Sequence, residues 1–141
     1  KVWWTGGSQS QQLLQDGEVV MSMIWNDRAE EMTDRGDPVK YVIDGSLVGN
    51  TMYGVAKGAP NAENAMRLLE FMTRAEPNAK FSQKLHYVPG NPEALKMFTP
   101  EQLARIPNPE TNPNVVRIDG TWEAQNKGKL DERMAEWLTK A

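Results

Sequence analysis

Trp25 ends an apolar run and is followed at once by Asn26 and Asp27. That order suits recognition of a small solute. An indole face stacks on methylene groups or attracts a cation, and a neighbouring polar group fixes orientation. Trp122-Glu123 pairs a ring with a carboxylate, a combination suited to an amine. Tyr87, in a loop with Pro89 and Gly90, offers a second ring and a hydroxyl. Thr5-Gly6-Gly7-Ser8 precedes a helix signal, where free backbone N–H groups and the helix dipole can receive an anion near Ser8. Ordinary packing or capping is the competing explanation for each of these groups.

Enzyme signatures are absent. The chain has no Gly-x-Ser-x-Gly, no His-Glu-x-x-His and no Cys. Its one His, His86, reads as structural, and no Ser and Asp are spaced to work with it. The Gly6-Gly7 loop lacks the Lys of a P-loop. We therefore expect no catalytic residues, no metal ligands and no cofactor. The enzymatic alternative is a small α/β hydrolase using Asp27 and Glu123 as acid and base.

Helices and extended segments alternate along the chain, which predicts an α/β protein. Ser8 and Gln11 form a capping-box pattern ahead of Leu13 and Leu14. The run 18–25 is apolar on both alternating faces, the mark of a strand covered on both sides. A short polar helix capped by Asn26 or Asp27 follows, then a second strand at 39–43. Leu47-Val48 and 52–56 read as a broken strand. Ala62, Ala65, Met66, Leu69 and Met72 make one helical stripe, and a further helix covers 77–85. Thr99-Pro100-Glu101-Gln102 is a complete helix start, stopped by Pro107 and Pro109. The stretch 108–114 is an irregular connection. Leu130, Met134, Trp137 and Leu138 define a last helix over 121–140.

The length of 141 residues is that of one ordinary domain, and a 39% apolar fraction excludes wholesale disorder. A net charge of −3 with no basic block argues against a phosphate-backbone binder. No stretch approaches a membrane span, and the missing Cys excludes a disulfide framework.

Several runs, taken in order, resemble the periplasmic polyamine-binding family, the solute-binding components of spermidine/putrescine-type ABC importers. They are Trp3-Trp4-Thr5-Gly6-Gly7-Ser8-Gln9, residues 13–19, Met23-Ile24-Trp25-Asn26-Asp27-Arg28, residues 55–61, His86-Tyr87-Val88-Pro89-Gly90-Asn91 and Asp119-Gly120-Thr121-Trp122. The resemblance implies a type II periplasmic-binding-protein fold, two α/β lobes that hinge closed on a solute. It places residues 1–48 in the second lobe, 49–92 in a segment returning to the first, and 93–141 in C-terminal second-lobe helices. The chain would then be the C-terminal portion, with the signal peptide and most of the first lobe upstream. The resemblance also implies that Trp25 and Tyr87 stack on the ligand, with Asn26, Thr51, Trp122, Glu123 and Ser8 around it. Polyamine binders carry an Asp shortly before the segment matching 55–58. Here that stretch reads Asn50-Thr51-Met52-Tyr53, without a carboxylate. The expected partners are a polyamine-like amine solute and an ABC permease, in the periplasm, with no nucleic acid and no membrane insertion. A zwitterionic or anionic solute, such as an amino acid or aminophosphonate, is the alternative. Apolar faces left uncovered predict self-association.

Overall fold

The computed structural model describes residues 2–140. Six α-helices account for most of the order: α1 (Gly7–Gln15), α2 (Asn26–Asp34), α3 (Ala62–Thr73), α4 (Ala75–Leu85), α5 (Pro100–Ala104) and α6 (Gly120–Lys140). A 3₁₀ helix spans Pro92–Met97. Among the described residues the sheet consists of two short strands, β1 (Leu47–Val48) and β2 (Val116–Arg117), paired in parallel with Leu47 opposite Val116. The α/β expectation therefore holds only as a largely helical chain with one ladder.

Each helix has a local cause. α5 begins with the full capping box: the Thr99 hydroxyl accepts from the Gln102 N–H at 3.3 Å, and the Gln102 side chain accepts from the Thr99 N–H at 2.9 Å. α4 stops where His86 enters the left-handed region at φ 56°, a conformation that costs a residue with a side chain roughly 1 kcal/mol. α6 starts on Asp119, whose carboxylate accepts from the backbone N–H groups of Thr121 and Trp122, each at 3.0 Å.

Two apolar centres result. Leu13 of α1 and Ala29 and Met32 of α2 are buried where α1 and α2 pack together. Ala79, Ala94, Phe98 and Ile106 form a second cluster beneath α4 and the 3₁₀ helix, with Val88 and Leu95 against it. A polar tie holds α2 to the end of α5. Glu30 is fully buried, and Arg105 donates to it through Nε at 2.7 Å and through a second guanidinium nitrogen. Arg105 also reaches Asp34 at 2.6 Å, and the Tyr41 hydroxyl donates to Glu30. The Arg105 bond holds the Asp34 carboxyl below its ordinary value.

Several sequence expectations need correction. Residues 18–25, 39–43 and 52–56 form no ladder among the described residues. They take no regular secondary structure, with Met21 85% and Met52 87% exposed. An apolar pattern favours extended backbone, but a strand also needs a partner of matching register, which the pattern does not name. Ser8 is not the cap of α1. Gly6 takes that position without a side-chain bond, and Ser8 lies exposed in the first turn. Gln11 instead reaches across to Glu31 at 3.0 Å, tying α1 to α2. Trp25, not Asn26 or Asp27, is the N-cap residue of α2. Trp137 and its apolar neighbours on α6 stay partly exposed, although Trp137 meets Trp3 edge-on at 5.9 Å.

Candidate functional site

Trp25 has two supports. The Trp4 ring meets it edge-to-face, centroids 5.7 Å apart at 89°, and the Trp4 Nε1–H is spent on the Met23 carbonyl at 2.8 Å. Gly7 also lies against it, where an added Cβ would lie 2.8 Å from the six-membered ring of Trp25. The ring thus needs glycine beside it, and it remains 56% exposed. A positioned aromatic with an open face is what stacking on a solute requires.

The start of α2 brings the next groups to this ring. The Asn26 side-chain amide donates to the His86 carbonyl, joining α2 to the end of α4. The Tyr87 N–H donates to the Ser82 carbonyl at 3.0 Å. Both bonds hold the His86–Tyr87 peptide, one at its carbonyl and one at its N–H, and the Tyr87 ring reaches α2. Its hydroxyl donates to Asp27 Oδ2 at 3.2 Å. Burial, followed by the charge of Asp27, raises the Tyr87 hydroxyl above its ordinary value. Tyr53 lies close enough to add a small electrostatic push in the same direction.

Two polar atoms in this group are buried without a hydrogen-bond partner, Asp27 Oδ1 and Arg28 Nε. Such atoms cost about 1–3 kcal/mol each and are rare unless a ligand or water completes them. The Arg28 guanidinium otherwise turns to Glu31, at 3.5 Å. No ion pair with Asp27 exists among the described residues.

The structure therefore gathers Trp25, Asn26 and Tyr87 into one group and adds Trp4, Gly7, Asp27, Arg28 and Tyr53. Ser8 lies one residue beyond Gly7 but is exposed. Thr51, Trp122 and Glu123 are exposed, and no bond or ring contact among the described residues links their side chains to the group. Gly7 and Asp27 were the residues that sequence reasoning undervalued. Their signal was proximity in the chain to the loop before α1 and to Trp25, and only geometry turned it into contact.

The group forms an open face rather than an enclosed cavity. Two open hollows, of about 330 and 370 Å³, share no residue with it; one is lined by Phe71, Glu76, Pro77 and Lys80, the other by Thr73, Asn78, Gly90, Asn91 and Pro92. Among the described residues no set of carboxylates and His is placed to hold a metal ion, and no helix is long and apolar enough to cross a membrane.

Known proteins give a consistent comparison. The chain is 27% identical over 139 residues to the gamma-aminobutyric acid-binding protein of Pseudomonas aeruginosa, covering 98% of this chain and 40% of that protein. It is 27% identical over 113 residues to the spermidine/putrescine-binding periplasmic protein of Escherichia coli, covering 77% of this chain and 31% of that one. The protein of the same name from Salmonella typhimurium matches over 88 residues at 27%. The chain thus spans less than half the length of these relatives, whose names all describe binding proteins rather than enzymes. No solved structure matches it. The model for bacterial extracellular solute-binding proteins matches residues 1–110, and the chain belongs to that family.

Proposed function

We propose that the chain is part of the solute-capture component of an ABC importer, working outside the cytoplasmic membrane and delivering an amine-bearing solute such as a polyamine to its permease. The observation that carries this reading is the convergence of Trp25, Asn26 and Tyr87, from α2 and the end of α4, in a chain of the solute-binding family. Trp25 and Tyr87 supply ring faces for the methylene chain, and Asn26 holds the two elements together. In this reading the fold is the type II periplasmic-binding one. Residues 1–48 and 93–141 serve one lobe and 49–92 the other, and closure of the lobes brings Thr51, Trp122, Glu123 and Ser8 toward the ligand. Desolvation of the methylenes drives binding, and the few polar ends set specificity.

A second reading, a zwitterionic solute, is favoured by the gamma-aminobutyric acid-binding relative, which matches nearly the whole chain. The carboxylate of such a ligand would face the free N–H groups at the start of α1, beside Ser8.

Calorimetry of the protein with putrescine, spermidine, 4-aminobutanoate and aminophosphonates tests both readings. Binding of an amine is expected, weakened about 10-fold by Trp25→Ala. Absence of binding to every member of the panel, or full affinity in Trp25→Ala, overturns the site. Preference for 4-aminobutanoate over both polyamines selects the second reading.

A further inference from the structure

We propose that Asp27 is the anchor for the ammonium group of the solute, replacing the carboxylate missing from 50–53, and that the Tyr87 ring is its pivoting cover. The inference rests on the solute-binding reading and names the residue that sets its charge selectivity.

Three observations carry it. First, Asp27 has no cationic partner among the described residues, and its Oδ1 is buried with nothing bonded to it. A carboxylate in that position is incomplete until a donor arrives, and a primary ammonium brings three. Second, the one group on the other oxygen, the Tyr87 hydroxyl, sits at 3.2 Å. Hydroxyl donors to an ionised carboxylate normally close to 2.5–2.7 Å, so Tyr87 covers Asp27 loosely. The Tyr87 backbone is pinned through its own N–H and through the His86 carbonyl. In this proposal the ring turns about its own side-chain bonds and uncovers Oδ2 while the backbone stays in place. Third, aromatic rings line the surroundings, beside one resident cation: the charge of Arg28 also reaches the Tyr87 hydroxyl, while its guanidinium turns to Glu31. Trp25 lies two residues away with an open ring face, and Tyr87 and Tyr53 add further rings.

Seating the ammonium exchanges a long hydroxyl contact for charge-assisted bonds. The Tyr87 ring then lies along the methylenes, and its hydroxyl is released to other acceptors. Any solute with a primary ammonium uses this anchor, whatever its far end carries.

The test compares 1,4-diaminobutane and 4-aminobutanoate with 1,4-butanediol, on the unaltered protein and on Asp27→Asn and Tyr87→Phe, by calorimetry and thermal unfolding. Asp27→Asn keeps the shape and removes the charge. It should weaken both amines by about 10- to 100-fold and leave Tm unchanged or higher. Tyr87→Phe keeps the ring and removes the loose hydroxyl, and should hold affinity or raise it. Amine binding unchanged in Asp27→Asn overturns the assignment while leaving the solute-binding reading standing. A fall in Tm with unchanged affinity does the same, by making Asp27 structural. A 10-fold loss in Tyr87→Phe overturns the cover. Failure of the unaltered protein to bind either amine overturns the solute-binding reading and the anchor together.

Discussion

Buried polar side chains show most clearly how single residues report on this molecule. Tyr41 is the clearest titrating probe. Burial, then its bond to Glu30, pushes its hydroxyl up to about 12. The protonated form is the one the fold favours, so the stabilisation is complete below the ordinary tyrosine value. It is lost as pH rises from about 10 through about 12. An ultraviolet absorbance titration should show a late tyrosine phase near pH 12 that Tyr41→Phe removes; if the late phase survives in the variant, the Tyr41–Glu30 contact is not what raises it. Trp25 and Tyr87 were legible as ligand-capable residues because they are aromatics beside polar breaks. Asp27 was legible only as a polar neighbour of Trp25, since the property that distinguishes it, an oxygen without a donor, exists only after folding.

At the scale of elements, the connection between α2 and α5 should be the most sensitive to substitution. Removing the guanidinium in Arg105→Ala leaves Glu30 buried with only the Tyr41 hydroxyl beside it. We expect a loss of about 2–4 kcal/mol, read by urea unfolding. Glu30→Gln should cost less, because no unpaired charge remains inside. Equal losses for the two would show that geometry, not charge, sets the cost. Thr99→Ala should cost about 1 kcal/mol by removing one arm of the capping box of α5, the helix that delivers Arg105. Legibility divides along the same line. The α5 start was readable because a capping box is local, completed within four residues. The same reading misplaced Ser8, since the Gln11 that should have closed its box is drawn away by Glu31 on another helix. The strands at 18–25, 39–43 and 52–56 were misread for the opposite reason, because pairing is never local. The β2 strand, two residues long behind an Asn- and Pro-rich connection, gave no pattern to read.

For the molecule as a whole, the exposed apolar segments decide its behaviour in solution. Val20, Met21, Met23, Val42 and Met52 all lie open to solvent. Exposed apolar side chains in such number bind hydrophobic probes and drive association. Sedimentation should show a mass that rises with concentration, together with strong ANS fluorescence below the unfolding transition. Charged substitutions at Met21 and Met23 should reduce both. A monodisperse monomer with weak ANS binding would contradict this expectation.

The parallel β1–β2 ladder carries one more consequence, for the order of events in folding. Leu47 meets Val116 across the segment that holds α3, α4, the 3₁₀ helix and α5, and the closure is reinforced by Asp44 accepting from the side-chain amides of Asn112 and Asn114 at 2.8 and 2.9 Å. Contacts so distant in sequence pay their loop-closure entropy before they return anything. The helix pairs α1–α2 and α3–α4, each close in sequence compared with the ladder, should therefore assemble first and the ladder last. In hydrogen exchange, the Val116 and Ile118 amides bonded across that ladder should open earliest among the backbone bonds that span the chain, well before those inside α4.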